Sequence, residues 1–205
     1  MPIRAVFFDV GETLVDERAY WRSVAGLAGV PEHVLWAALG VTIERGEDHT
    51  ALFRHLGLER PAEVDDVVTY DVGDLYPDAL PCLERLRDAG YRVGVAGNQS
   101  KALEEWARSV SLPVDVIGSS AGWGVRKPSR AFFERVVEEA GFSAAEVAYV
   151  GDRVDNDIEP AAACGLAAVW IRRGPWGWLR RGSPAAALEL ESLDALPRAL
   201  ARLSR

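Results

Sequence analysis

IRAVFFDVGETLV, residues 3–15, sets an apolar run against a lone carboxylate, Asp9, and then a Gly/Thr turn. A short apolar run without polar alternation is the pattern of a strand buried on both faces, as in parallel sheets covered by helices. Ligands bind such sheets beyond the carboxyl ends of the strands, and Asp9 falls there. Gly11 follows two residues later and leaves Asp9 without a second side chain beside it in the turn.

Outward from this stretch, apolar runs alternate with amphipathic ones, which predicts an α/β fold with a mostly parallel sheet. Further strands are expected at 91–97 (YRVGVAG), 114–118 (VDVIG), 147–152 (VAYVGD) and 166–171 (LAAVWI). In DALPCLERLRDAG, Leu80, Leu83 and Leu86 form one stripe and Gly90 supplies a stop. In SRAFFERVVEEAG, Phe132, Phe133, Val136, Val137 and Ala140 repeat at helical spacing before Gly141. SAAE at 143–146 has the spacing of a capping box, and LDALPRALARL reads as a closing amphipathic helix. Residues 16–76 break the alternation. They carry helical periodicity and no convincing strand, so they read as a helical insertion after the first strand.

With 205 residues, the chain can form one domain with a sizeable core and a modest insertion. It is 49% hydrophobic and 26% charged, as globular proteins are. A net charge of −8 speaks against nucleic acid or an anionic membrane as the main partner. No transmembrane span or signal peptide is visible, and a cytoplasmic location is expected. Cys82 and Cys164 both fall in helix-like stretches and are expected to be reduced, buried thiols.

The polar residues able to carry chemistry cluster at strand ends. Asp9 closes the first, Gly97-Asn98 the second, and Gly151-Asp152 the fourth, while Lys127 lies in the loop after the third. GDRVDND packs Asp152, Asp155 and Asp157 together, and Asp9 adds a fourth carboxylate. Uncompensated carboxylates in one cleft raise one another's pKa, a conflict that Mg²⁺ with its oxygen preference resolves. Acids decorating a helix N-terminus are the alternative, and Asp9 with Lys127 tips the reading toward metal.

FFDVGETL, GVAGNQS, GVRKPSRAFFE and YVGDRVDND, in this order and spacing, resemble the four motifs of the haloacid dehalogenase-like hydrolase superfamily. The resemblance implies a Rossmann-like parallel sheet formed by residues 1–15 and 77–205, with 16–76 as a helical cap. It implies Asp9 as nucleophile through an aspartyl intermediate, usually an aspartyl phosphate. Mg²⁺ would be held by Asp9, the carbonyl of Gly11 and Asp152, with Asp157 or Asp155 helping. Lys127 would neutralise the transferring group. The substrate would be a small phosphorylated metabolite, and the chain a monomer or homodimer.

Two positions depart from the pattern. The superfamily's phosphatases carry an aspartate where this chain has Gly11; it protonates the leaving oxygen and then activates water. Glu12 belongs to the opposite face of an alternating strand and reaches the site only if the turn redirects it. At the second motif a Ser or Thr hydroxyl is replaced by Gly97, leaving the N–H of Asn98 and, nearby, Ser100 as phosphate contacts. A hydrolase with impaired acid–base chemistry is the leading reading. A non-catalytic binding or interaction module and a haloacid dehalogenase are the alternatives.

RRGPWGWLRRG, residues 172–182, reads as a loop that either contacts substrate or a second subunit, or packs Trp176 and Trp178 back on the domain edge. His33, His49 and His55 lack a ligand partner at helical spacing and are expected to be surface residues. Trp21, Trp36 and Phe53 are expected to form the insertion's own core. Thr13 is expected to brace the motif turn through its hydroxyl.

Overall fold

The computed structural model describes residues 2–65 and 71–203. Met1, Ser204 and Arg205 of the expected core, and 66–70 of the expected cap, lie outside the described residues. Six parallel strands run β1 (Ala5–Phe8), β2 (Arg92–Gly97), β3 (Val116–Ser119), β4 (Val147–Gly151), β5 (Ala167–Ile171) and β6 (Leu188–Leu190). Their order in the sheet is β3-β2-β1-β4-β5-β6, the doubly wound Rossmann arrangement. The four long strands anticipated from sequence after residues 3–9 are all present, each within two residues of its expected ends. β6 has only three residues, too few for any periodicity to show.

The helices are α1 (Arg18–Ala28), α2 (Glu32–Glu44), α3 (Ala51–His55), α4 (Ala79–Asp88), α5 (Lys101–Ser109), α6 (Ser120–Trp123), α7 (Arg130–Ala140), α8 (Glu159–Ala163), α9 (Gly174–Leu179) and α10 (Leu196–Leu203). The apolar stripes seen in sequence cover the two faces of the sheet. Leu83 and Leu86 of α4, Leu103 of α5 and Leu196 and Leu200 of α10 pack with Val6 and Phe8 on one face. Phe132, Phe133 and Val136 of α7 pack with Phe7 and Tyr149 on the other. Each large side chain so enclosed contributes about 1.5–3 kcal/mol. The capping box at Ser143 and Glu146 forms as its spacing predicts.

α1–α3 build a separate apolar cluster around Trp21, Leu35, Leu39 and Phe53, with Trp36 packed against it. The segments that lead into and out of these helices pair with each other. Val15 bridges Leu75 in antiparallel fashion, Asp16 N donates to Asp74 O, and Tyr76 N donates to Leu14 O. Among the described residues no single helix is long and apolar enough to cross a membrane. Cys82 is buried, whereas Cys164 is only partly so, and both are free.

Candidate active site

β1 is the point from which the sheet winds both ways, so the crevice opens at its carboxyl end. Phe8 pairs with Val150 of β4 and Val95 of β2, which brings the residues just past these strands together. Asp9 and Asp152 meet there. A cavity of about 910 Å³ lies above them, bounded on the far side by Tyr20, Trp21, His49 and Val64 of the helical segment.

Lys127 is the centre of this arrangement. Its Nζ lies 2.8 Å from Asp9 Oδ1 and 2.6 Å from Asp157 Oδ1, with the lysine side chain 1% exposed. Burial alone would lower its pKa, but the Asp157 and Asp9 carboxylates raise it well above the ordinary lysine value. Two hydrogen bonds to one side chain, Asn98, hold the loop that carries it. Asn98 Nδ2 donates to Lys127 O at 2.9 Å, and Lys127 N donates to Asn98 Oδ1 at 2.8 Å. The Tyr149 ring lies beneath, its centroid 5.6 Å from Nζ, and the Tyr149 hydroxyl donates to Ala96 O. The Asn98 side chain is therefore spent on the lysine loop.

Asp9, Asp152 and Asp157 are all buried and offer carboxylate oxygens within 4.8 Å of one another. Burial, with Asp157 and Asp9 alongside, raises the pKa of Asp152 well above the ordinary carboxylate value. Burial also raises that of Asp157, against the pull of Lys127. A close set of hard oxygen donors with excess negative charge suits Mg²⁺, so these residues fit the ion. Asp157 is already engaged through both oxygens, by Lys127 and by Arg153 N at 3.0 Å. Asp155 does not join the set; it lines the cavity and pairs with Arg153 at 2.7 Å, its side chain half exposed.

Glycines make room for these acids. A Cβ at Gly97 would meet Asp9 Oδ1 at 2.5 Å, and one at Gly151 would run into the Asp157 carboxylate. The side chain missing at Gly97 is thus excluded by the position of Asp9 in this arrangement. Ser100 lines the cavity, and its hydroxyl finds no hydrogen-bond partner among the described residues.

The motif turn differs from the expectation of simple alternation. Glu12 takes a left-handed backbone with φ 52°, which swings its side chain into the cavity wall. Its Oε2 accepts from the Tyr76 hydroxyl at 2.6 Å, and its pKa is pushed up to about 7, chiefly by burial. Sequence reasoning missed Glu17 altogether. Its carboxyl lies over Gly11, close enough that a Cβ there would come within 3.0 Å of it. Burial, then Glu12 and Asp9, push its pKa up to about 8. An acidic residue shortly after the glycine was the only available signal.

Other expectations shift. The Thr13 hydroxyl has no hydrogen-bond partner among the described residues; its carbonyl accepts from Arg173 at 3.0 Å instead. Arg173 is buried, paired with Asp78 and placed over the Tyr76 ring, and it is not on the cavity wall. His49 is no ordinary surface residue: it lines the cavity, and burial lowers its pKa. His55 pairs with Glu47, and His33 is exposed.

The model of the haloacid dehalogenase-like hydrolase family matches residues 3–165. The chain belongs to this family of hydrolases. It is 29% identical over 201 residues to a glyceraldehyde 3-phosphate phosphatase of Methanopyrus kandleri, covering 85% of this chain and 86% of that one. It is 32% identical over 155 residues to a phosphatase of Mycobacterium tuberculosis, covering 72% and 68% respectively. Among solved structures, the hydrolase YfnB of Bacillus subtilis superposes with a TM-score of 0.75 at 19% identity over 98% of this chain and 99% of that one. The L-2-haloacid dehalogenase of Xanthobacter autotrophicus gives 0.69 at 20% identity over 98% of both. Family and relatives together make this an enzyme, a hydrolase of the phosphatase type.

Proposed function

We propose that this chain is a Mg²⁺-dependent phosphatase of small phosphorylated molecules, working through an aspartyl phosphate on Asp9. The observation that supports this most is the lysine bridge from Asp9 to Asp157 beside Asp152, at the floor of one cavity. The Asp9 carboxylate attacks phosphorus while Lys127 neutralises negative charge on nucleophile and phosphoryl group. The Asn98 N–H and the Ser100 hydroxyl, from residues that line the cavity, would donate to the phosphoryl oxygens. Mg²⁺ held by Asp9, the Gly11 carbonyl and Asp152, with Asp157 behind them, would supply Lewis-acid stabilisation of the same charge.

Residues 1–15 and 77–205 then form the core, and 16–76 the cap that closes the cavity. A space of about 910 Å³ suits a small metabolite. Glyceraldehyde 3-phosphate, the substrate after which several relatives are named, belongs in the first screen. A cytoplasmic setting agrees with two free thiols. Residue 11 has no side chain to transfer protons, so by its motif residues alone the enzyme is impaired and favours activated phosphates.

The test is Mg²⁺-dependent hydrolysis of 4-nitrophenyl phosphate by wild type and Asp9→Asn. Turnover lost in the variant and on chelation supports the reading. Equal background rates point to a binding module, and chelator-insensitive halide release from a 2-haloacid points to dehalogenation.

A further inference from the structure

We propose that Glu17 supplies the proton-transfer carboxyl that residue 11 lacks, reaching into the space above Gly11 from the start of the helical segment. The inference rests on the phosphatase reading above and adds a residue to it. Its basis is steric. A Cβ at Gly11 would lie within 3.0 Å of both Oε1 and Cδ of Glu17, and 3.3 Å from Oε2. One Glu17 oxygen is as near to that Cβ position as an aspartate's own carboxylate oxygen would be. Gly11 and Glu17 are thus complementary: one gives up the side chain, and the other fills the volume with the same functional group. Glu17 also lines the cavity that Asp9, Lys127 and Asp152 open into.

Glu12 is the competing carboxylate, and its surroundings tie it down. Oε2 is held by Tyr76, and the side chain packs on Gly174, where a Cβ would meet its Cδ at 2.5 Å. It belongs to the wall between turn and α9. Glu17 immediately precedes α1, so the proton donor would arrive with the helical segment and not with the motif loop.

The chemistry balances in two steps. As Asp9 forms its O–P bond, the bond from phosphorus to the leaving oxygen breaks, its electron pair stays on that oxygen, and the Glu17 O–H proton neutralises it. The Glu17 carboxylate then takes a proton from water as the water oxygen bonds to phosphorus. The Asp9 O–P bond breaks, releasing phosphate and restoring both side chains.

Phenyl phosphate and 4-nitrophenyl phosphate present the same group with leaving oxygens of different basicity, so kcat/KM for the pair isolates proton donation. Glu17→Gln should lower kcat/KM for phenyl phosphate by about 10²–10⁴-fold and for 4-nitrophenyl phosphate by no more than about 10-fold. Placing the acid back on the loop in Gly11→Asp/Glu17→Ala, where the shortened side chain vacates the volume above residue 11, should recover at least about 10-fold of the phenyl phosphate loss seen in Glu17→Ala. Equal losses on both esters, no recovery in the double variant, or a selective loss in Glu12→Gln instead would overturn the assignment of Glu17. If wild type hydrolyses neither ester, or does so no better than Asp9→Asn, the phosphatase reading itself fails. Thermal unfolding of each variant identifies losses that come from misfolding, and Glu17→Ala alone supplies both the baseline for the double variant and a second comparison of the two esters where Glu17→Gln is unstable.

Discussion

A lysine between two buried carboxylates is a charge arrangement that cannot be dismantled piecemeal. Lys127 offsets Asp9 and Asp157 at 2.8 and 2.6 Å, in surroundings that water hardly reaches. Lys127→Met keeps the apolar stem and removes the cation, leaving the two acids facing each other. Removing one partner of a buried ion pair typically costs about 3–5 kcal/mol, which a urea unfolding midpoint will register. The same variant should lose phosphatase turnover. A midpoint unchanged from wild type would mean that the acids accommodate by taking up a proton. The participants in this cluster were legible in sequence, because residues at the ends of parallel strands converge whatever their separation along the chain. What each does was less so. Asn98 holds the Lys127 peptide across 29 residues of sequence, and no local pattern reports such a bond.

At the scale of elements, α9 is the part that sequence reading assigned to a loop. Two glycines and a proline suggested irregular backbone, yet Pro175 sits in the first turn, where a missing N–H costs nothing. The short helix has a definite purpose. It sends Trp176 into the apolar cluster of α1–α3, with its ring centroid 6.5 Å from that of Trp21, while Arg153 stacks on it at 4.8 Å. Trp178, two residues on, is 67% exposed. The sequence reading treated the two tryptophans alike, whereas the helix gives them opposite fates. Trp176→Ala should therefore destabilise the protein by about 3–5 kcal/mol in urea unfolding. Trp178→Ala should stay within about 0.5 kcal/mol, as surface substitutions usually do. Equal effects would mean that Trp176 does not anchor the helical segment.

At the scale of the whole molecule, the parallel sheet follows from alternating strands and helices, and the Rossmann-like class was legible in outline, whereas the strand order was not. The connections that lock distant segments together were not. Asp78, at the start of α4, pairs with Arg173 after β5 and accepts from Ser192 Oγ at 2.7 Å and Leu193 N at 3.0 Å. Through Arg173 it also reaches the carbonyl of Thr13 in the motif turn. One carboxylate thus joins the motif loop, the sheet's far side and the segment leading to α10. Burial alone would raise its pKa, but the hydrogen bonds from Ser192 and Arg173 outweigh that and hold it below the ordinary value of 3.8. In this case the unfolded chain binds the proton more readily than the folded one. The stabilisation is fully present above the ordinary value and disappears as pH falls through the lower, folded value. Asp78→Asn cannot titrate. It should be less stable than wild type at neutral pH, and the gap should narrow below pH 3.8, as read from urea midpoints on both proteins across the acid range. A gap of constant size would show that the Asp78 charge adds nothing to the junction, and that packing alone joins these segments.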